Sequence, residues 1–236
     1  MREGKEYPNV SQRCLIVNKT NFDQIWAAEY LHDVIHRDMS ALIIPLGHDE
    51  GWASDAGAWK DQFASESDYH YDLERPLRSY GIRRITWMDF HQESTESASE
   101  KIRQADLVML AGDDPGAGMD RIEDLGLVLA LQTYQGLLIT VSEISQILAA
   151  QFETGDEYER SERDGLARIP LIRFHMHYSE TEEELRKMIR YLETDSRPLI
   201  VLSEKSGLYI ENGSLELLGD AFIAEDSDLD ELYSLL

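Results

Sequence analysis

A serine and two downstream histidines supply residue types that nucleophilic catalysis needs. Ser142 follows the apolar run "LLITV" and precedes a helix-like segment. Further along, "RFHMHY" carries His175 and His177, which share one face if the segment is a strand. The loop before them contains Asp156 and Glu157. Serine becomes a nucleophile when a base takes its proton and a third group orients that base, so the sequence offers candidates for all three roles.

A parallel sheet must position these residues, because short apolar runs alternate with amphipathic stretches along the chain. The pattern predicts strands at 13–19, 41–47, 81–90, 105–114, 137–141 and 197–204, and a closing hairpin at 206–219 that turns on Asn212-Gly213. It predicts helices at 21–38 with Asn21 as N-cap, one or two in 51–80 with a break near Asp68, and others at 94–106, 118–136, 143–152 and 180–194. A surface loop is expected at 153–165, and residues 225–236 as a final helix or disordered.

No repeat or linker marks a boundary, so we expect one α/β domain over residues 1–236. The formal net charge of -24 argues against nucleic-acid and anionic-membrane partners, and a solvated acidic surface explains it without any ligand. Cys14 is the only cysteine, which excludes an internal disulfide. There is no apolar signal core and no run near the ~20 residues of a membrane helix, so we expect a cytoplasmic protein.

Other kinds of site are weaker alternatives. Asp113 and Asp114 with His175 and His177 offer oxygen and imidazole ligands, but no compact metal spacing supports them, and we predict no metal site. The segment "AGDDPGAG" lacks a P-loop lysine and its acids would repel phosphate, so no phosphate site or cofactor is expected. Ser142 as an ordinary helix N-cap remains open.

The sequence resembles the dipeptidase E and cyanophycinase group of serine peptidases. "QADLVMLAGDDPGAGMDRIEDLGL" is similar to that family's strand, glycine loop and helix, and "LLITVSEIS" to its strand and nucleophile elbow. "GLARIPLIRFHMHYSE" is similar to the strand that delivers its histidine. The resemblance covers most of the chain and implies a class I glutamine amidotransferase-like (flavodoxin-like) fold. That fold is a three-layer α/β/α domain with a mainly parallel sheet, to which this chain adds a C-terminal β-hairpin.

The resemblance also implies roles for individual residues. Ser142 matches the nucleophile, His177 the base because an aromatic residue follows it, and Asp156 in "TGD" the third triad member. Gly112 matches the loop that donates a backbone N–H to the oxyanion. Small peptides or amides are the implied substrates, and a homodimer the implied assembly. The residues expected to line the substrate are Asp113, Asp114, Glu143 and His175.

The elbow and the loop depart from the family pattern. Thr140, Glu143 and Ile144 stand where the family has Gly, Ala and Gly, and a β-branched residue is expected to crowd so tight a turn. The carboxylates of Asp113 and Asp114, with Glu143, would oppose a developing oxyanion by about 1 kcal/mol or more per close pair. The alternative function is therefore a catalytically impaired family member that acts as a binding or assembly protein.

Overall fold

The computed structural model describes residues 13–48, 51, 55–154, 161–169 and 171–236. The strands are β1 (Arg13–Val17), β2 (Ser40–Gly47), β3 (Arg84–Trp87), β4 (Leu107–Gly112), β5 (Leu137–Val141), β6 (Gln151–Thr154), β7 (Ser161–Asp164), β8 (Arg173–His175), β9 (Leu199–Val201), β10 (Ser206–Glu211), β11 (Ser214–Gly219) and β12 (Phe222–Ala224). The α-helices are α1 (Ile25–Leu31), α2 (Ala56–Gln62), α3 (Asp68–Ser79), α4 (Thr95–Gln104), α5 (Pro115–Asp124), α6 (Val128–Gln132), α7 (Glu182–Thr194) and α8 (Leu229–Ser234). The 3₁₀ helices are Ser142–Leu148 and Asp226–Asp228.

The main sheet has the strand order β11-β10-β1-β5-β4-β2-β3. Within that order, the five strands β1, β5, β4, β2 and β3 are parallel to one another. Strand β10 is antiparallel to both β1 and β11. Every residue of β4 and β5 is buried, as expected of parallel strands covered on both faces. The predicted mainly parallel sheet and its C-terminal hairpin are confirmed.

Alternate residues of β1 enter two separate cores, one on each face of the sheet. Cys14 and Ile16 face the core formed with α4, α5 and α6, whereas Leu15 and Val17 face the core formed with α1 and α3. A strand between two helical layers must be apolar in both directions, which explains the unbroken hydrophobic runs in the sequence. The three-layer α/β/α architecture is therefore confirmed.

A smaller sheet carries the histidine segment. Its order is β12-β9-β8, with β8 parallel to β9 and β12 antiparallel to it. Helix α7 packs on this sheet through Met188 and Leu192, which contact Leu199 and Val201. Thr181 caps α7 by accepting a hydrogen bond from Glu184 N, and three glutamates in the first turn suit the positive end of the helix dipole.

Several predicted helices differ in length from the observed ones. The helix expected at 118–136 is two helices, because Gly126 adopts a left-handed conformation (φ 67°) after α5. The helix expected at 21–38 is only α1, and Asn21 is not its N-cap; its amide donates instead to Glu204 O at 3.0 Å.

The region after Ser142 also differs from the prediction. The segment 143–152 is not an α-helix: the 3₁₀ helix ends at Leu148 and strand β6 begins at Gln151. Part of the predicted surface loop 153–165 is strand, because β6 and β7 pair antiparallel with Phe152 opposite Arg163. Phe152 is buried in the core, which anchors this ribbon and explains why a polar stretch is ordered.

Other local predictions hold. Ser94 caps α4 by accepting from Ser97 N, α2 and α3 are separated before Asp68, and the hairpin turns at Asn212-Gly213. The C-terminal segment ends in α8. Within the described ranges, no helix is both long and apolar enough to cross a membrane.

Glycines on neighbouring elements make the space that Ile144 occupies. Ile144 is 1 % exposed, and a Cβ added to Gly118 of α5 would overlap its Cδ1 atom. A Cβ on Gly47 would lie 2.9 Å from the same atom. Gly112, at φ 147°, passes so close to Gly47 that a Cβ there would overlap the Gly47 backbone. The crowding expected from a β-branched residue is thus relieved by glycines outside the turn.

We predict that Gly118→Ala lowers the free energy of unfolding by about 1–3 kcal/mol, because it overpacks the contact with Ile144. Ile144→Val removes Cδ1, so the double variant should lose clearly less than the sum of the two single losses. Urea unfolding measures all three. Gly57→Ala, at an exposed position of α2, is the matched control and should be neutral or slightly stabilising. Strictly additive losses would contradict this account.

Candidate active site

Ser142 lies at a sharp turn directly after β5. Its backbone is left-handed (φ 71°), and the residue is 7 % exposed. Positive φ at a residue other than glycine costs about 1–3 kcal/mol, and such strain concentrates at functional sites. Val141, not Ser142, precedes the 3₁₀ helix, and the Ser142 hydroxyl bonds to groups outside that helix. The interpretation of Ser142 as an ordinary helix N-cap is therefore wrong.

His177 is held against Ser142 from the smaller sheet. It lies two residues after β8, also with positive φ (56°), and its backbone N–H donates to Asn18 Oδ1 at 3.2 Å. Asn18 is itself buried, with only 1 % of its surface exposed. His177 Nε2 lies 2.9 Å from Ser142 Oγ, which is hydrogen-bond distance. The serine and the histidine that sequence analysis selected therefore come together.

Three adjacent strands end at this site. In the order β1-β5-β4, the residues that follow each strand are Asn18, Ser142 and Asp113. The register pairs Val17 with Val141, so the ends of β1 and β5 are level. The carboxyl ends of parallel strands are where open α/β sheets build their sites, and this sheet follows that rule.

Asp113 contacts the serine directly. Ser142 Oγ donates to Asp113 Oδ1 at 2.5 Å, a distance typical of a hydrogen bond from a hydroxyl to an ionised carboxylate. A serine hydroxyl has one proton, and an ionised carboxylate only accepts. When the Ser142 hydroxyl donates its proton in the hydrogen bond to Asp113, it has none left to donate to His177. The contact between Ser142 Oγ and His177 Nε2 is then a hydrogen bond only if Nε2 carries a proton and donates it to Oγ.

The two contacts of Ser142 thus define two exclusive states. In one, Asp113 accepts from Ser142 and His177 Nε2 donates to it, so the histidine is not a base. In the other, the serine proton faces an unprotonated Nε2, and Asp113 must turn away or be protonated to avoid opposed lone pairs at 2.5 Å. Only the second state activates the serine.

Glu143 adds a second carboxylate beside the histidine. Its Oε1 lies 3.9 Å from His177 Nε2, and its Oε2 accepts from the Gln146 amide. Burial raises the pKa of Glu143 above its ordinary value, the Gln146 bond and the His177 charge oppose that shift, and the charges of Asp113 and Glu184 reinforce it. The negative charges of two neighbouring acids therefore disfavour the ionised form of Glu143.

His175 is held by α7. The residue is 6 % exposed, and its Nε2 lies 2.8 Å from Glu184 Oε2. Burial lowers the pKa of His175 despite the favourable charge of Glu184. Burial alone would raise the pKa of Glu184, but bonds and charges from Lys187 and His175 outweigh it and lower that pKa. His175 thus bonds to Glu184, whereas His177 bonds to Ser142, although both were predicted on one strand face.

Asp114 and Gly112 shape the loop that carries Asp113. Asp114 Oδ1 accepts from Ala117 N at 2.9 Å and caps α5, and its own N–H donates to Gly47 O at 2.8 Å. Gly112 stands opposite Gly47 in the strand register. The predicted roles of Asp114 in substrate binding and of Gly112 as an oxyanion donor stay predictions.

The third triad member is not observed. Asp156 lies outside the described residues. Among the residues that are described, the ring of His177 makes hydrogen bonds through Nε2 alone. Glu204, which follows β9, is also close enough to interact: its pKa is lowered chiefly by Lys19, and the charge of His177 adds to that effect.

Sequence analysis missed several residues around the site. Asn18 carries no motif and lies inside the strand predicted at 13–19; its position near the carboxyl end of that strand is the available signal, and the structure ends β1 at Val17. On the Asp113 side, His48 Nε2 and Tyr69 Oη are 2.6 Å apart. Burial raises the pKa of Tyr69 and the charge of Asp113 raises it further, so an aromatic group borders the acid.

The residues of the metal alternative do not gather at one point. Asp114 caps a helix and His175 bonds to Glu184. Over the described part of the chain, no group of three or more His, Cys, Asp or Glu side chains has the arrangement of a metal site.

Known structures share this fold. A protein from Listeria monocytogenes EGD-e assigned as a peptidase E is 14 % identical, with a TM-score of 0.65 over 88 % of this chain and 98 % of that one. A peptidase from an acI-B1 Actinobacterium is 16 % identical, with a TM-score of 0.58 over 92 % of each chain. No protein-family model and no curated protein matches the sequence. The resemblance inferred from sequence is confirmed for the fold, which is that of the peptidase E proteins.

We predict that Asn18→Ala speeds hydrogen exchange of the His177 amide by about fivefold or more, the factor that corresponds to loss of a ~1 kcal/mol hydrogen bond. Exchange followed by NMR or mass spectrometry measures it. Ile102→Val, on the buried face of α4, is a control of similar cost to stability that should leave this amide protected. Equal exchange in Asn18→Ala and the parent would contradict the role given to Asn18.

We also predict a pH-dependent gain in stability for Glu143→Gln. Because the folded pKa of Glu143 is raised, the unfolded chain releases this proton first, and stability is lost as pH rises from the ordinary carboxyl range. The variant should equal the parent at low pH and exceed it at neutral pH in unfolding midpoint. Glu100→Gln, at an exposed position of α4 where the carboxylate pairs with Arg103, controls for the loss of one negative charge. A difference that does not change with pH would contradict the prediction.

Proposed function

We propose that this chain, which has the fold of the peptidase E proteins, is a serine-type hydrolase of small peptides or related amides. The observation that carries the proposal is the 2.9 Å contact between Ser142 Oγ and His177 Nε2 at a strained turn after β5. An ordinary surface serine needs neither a left-handed backbone nor a histidine delivered from a second sheet. Membership in the dipeptidase E family, a homodimeric assembly and a cytoplasmic location belong to the proposal through the sequence resemblance alone.

In the proposed reaction, Ser142 Oγ bonds to the carbonyl carbon while its proton passes to His177 Nε2 and the carbonyl π electrons move to oxygen. The tetrahedral intermediate then reforms the carbonyl, breaks its C–N bond and takes the proton from Nε2 onto the leaving nitrogen. Water repeats the sequence on the acyl-enzyme, and Ser142 recovers its proton. The products are a carboxylic acid and an amine.

The supporting groups follow the sequence resemblance. We assign Asp156 to orient His177, and the backbone N–H groups of Gly112 and Glu143 to bind the oxyanion. Asp113, Asp114, the Glu143 side chain and His175 would border the substrate. All of these residues act as parts of a single domain, residues 1–236.

A second candidate function is supported by one contact. The bond from Ser142 to Asp113 removes the hydroxyl proton from the histidine and leaves a negative charge beside the place where an oxyanion would form. If that state is permanent, the chain is a catalytically impaired relative that binds a ligand or partner. Asp113 therefore decides between the two functions.

We predict that a fluorophosphonate probe labels the folded protein at one residue. Phosphonylation should vanish in Ser142→Ala and fall at least about a hundredfold in His177→Ala, because the base is lost. Ser145→Ala is the matched control, since Ser145 is also buried after β5 but its hydroxyl has no hydrogen-bond partner among the described residues. Intact-mass spectrometry identifies the product. Absence of labelling in folded protein would favour the second candidate.

We predict further that Asp113→Asn accelerates this labelling by about fivefold or more. An asparagine amide can donate to Ser142 Oγ and leave its proton to His177, and the variant removes one charge that repels the oxyanion by about 1 kcal/mol. The second-order labelling rate measures the change. Asp124→Asn, at the far end of α5, controls for lost charge. A slower Asp113→Asn variant of unchanged stability would contradict the inhibitory role of this carboxylate.

A further inference from the structure

A cavity of about 340 Å³ lies where the end of α2 and the loop after it face the end of β3. That volume is within the ~300–1,000 Å³ range of small-molecule sites in proteins. Its walls combine aromatic rings with carboxylates. We infer that this cavity binds a small quaternary ammonium compound, at a site separate from the one that contains Ser142.

Three aromatic side chains line the cavity: Trp59, Phe63 and Trp87. The ring centroids of Trp59 and Phe63 are 4.5 Å apart with an interplanar angle of 54°. Those of Phe63 and Trp87 are 6.2 Å apart with an angle of 38°. The three rings are therefore tilted against one another around a shared space. Tilted rings present their faces from more than one direction, which suits a cation enclosed between them.

Helix α3 fixes the orientation of Trp87. The indole Nε1 donates to Glu74 Oε1 at 3.0 Å, and the ring of His70 stacks on the indole at a centroid distance of 4.2 Å and an angle of 16°. His70 covers one face of the indole, which leaves the opposite face for the cavity that Trp87 lines. This wall is thus preorganised, and a ligand loses little free energy in ordering it.

Carboxylates dominate the charge at the rim of the cavity. Asp61 and Glu66 are exposed, and in the described part of the chain neither forms an ion pair or a side-chain hydrogen bond. A third carboxylate, that of Asp89, is already engaged by the turn that follows it. Lys60 is the only basic residue among the described residues that line the cavity, and it forms an ion pair with none of these acids. The surplus of negative charge attracts a cation.

The aromatic walls favour an alkylated cation over a primary ammonium. A primary ammonium has three N–H donors that need acceptors, and ring faces supply few of them. A quaternary ammonium has no N–H donor and spreads its charge over its methyl groups, so ring faces can replace its hydration shell. The carboxylates at the rim attract its charge without a direct hydrogen bond. Rings and carboxylates together therefore select this class of ligand.

The cavity is distinct from the serine site, although both lie at the carboxyl edge of the main sheet. In the strand order, β2 separates β3 from β4, the strand that leads to Asp113. The ring centroid of Phe63 is 5.5 Å from that of Tyr69, which borders Asp113. A ligand in the cavity would therefore contact the aromatic residues beyond Tyr69 and not the nucleophile.

Choline and two analogues test this inference on the whole chain. The neutral 3,3-dimethylbutan-1-ol has the shape of choline without its charge, and the ethanolammonium ion keeps the charge without the methyl groups. ¹⁵N–¹H NMR at constant ionic strength follows the indole signals of Trp59 and Trp87, assigned through Trp59→Phe and Trp87→Phe. Choline should shift both signals saturably and bind at least about tenfold more tightly than either analogue. The signal of Trp26, in α1, should not move.

A first pair of variants tests the rings. Phe63→Leu should weaken choline binding by about fivefold or more, because one aromatic face is lost. Phe222→Leu, in β12 of the smaller sheet, is the matched control and should leave choline binding unchanged. Thermal unfolding shows whether each variant is folded.

A second pair tests the charge and leaves every ring in place. The double variant Asp61→Asn/Glu66→Gln should weaken choline binding by about threefold or more, because two attracting charges are lost. The double variant Asp230→Asn/Glu231→Gln removes the same two kinds of charge from α8, which packs against α7, and should have no effect.

Several results would overturn the inference. Equal binding of 3,3-dimethylbutan-1-ol would show that the cavity selects shape alone, and equal binding of ethanolammonium would show that the carboxylates act without the rings. Absence of a saturable shift at Trp59 and Trp87 would contradict it directly, as would a choline affinity unchanged in folded Phe63→Leu or in the Asp61→Asn/Glu66→Gln variant. Because none of these measurements involves Ser142, they test this site whether or not the proposed hydrolase function is correct.

Discussion

One hydroxyl proton governs the chemistry of this site. Ser142 Oγ lies 2.5 Å from Asp113 Oδ1 and 2.9 Å from His177 Nε2, and it has a single proton for two acceptors. The position of that proton determines whether the histidine is a base or a donor. In the proposed function, activity and inhibition are therefore two consequences of one hydrogen-bond competition.

The scaffold brings the competitors together through the order of its strands. The chain leaves β1, β5 and β4 at Asn18, Ser142 and Asp113, so these residues are neighbours across the sheet edge. Asn18 fixes the backbone of His177, which arrives from the smaller sheet. Glycines at 47, 112 and 118 allow the strand ends, α5 and Ile144 to approach closely. The small residues that a tight turn usually contains are therefore replaced by glycines on the elements that surround the turn at Ser142.

The sequence predicted the sheet well because buried parallel strands are long apolar runs, as in β4 and β5. Helix lengths were less predictable, since Gly126 divides one predicted helix and α1 ends at Leu31, well before residue 38. The turn at Ser142 looked unfavourable because local crowding was visible in the sequence, whereas the distant glycines that relieve it were not. Similarly, the sequence predicted that the Asp113 carboxylate would lie near the site and oppose an oxyanion. Only the fold shows that it accepts a hydrogen bond from Ser142.

The protonation of the His177 ring is the most direct test of this account. ¹⁵N NMR at pH 8, above the ordinary imidazolium range, with the signal assigned through His177→Ala, reports which ring nitrogen carries a proton. We predict a protonated Nε2 in the resting wild type, donating to Ser142, and an unprotonated Nε2 in Asp113→Asn, accepting from it. An unprotonated Nε2 in the wild type would show that the Ser142 hydroxyl does not donate its proton to Asp113, and it would contradict the account.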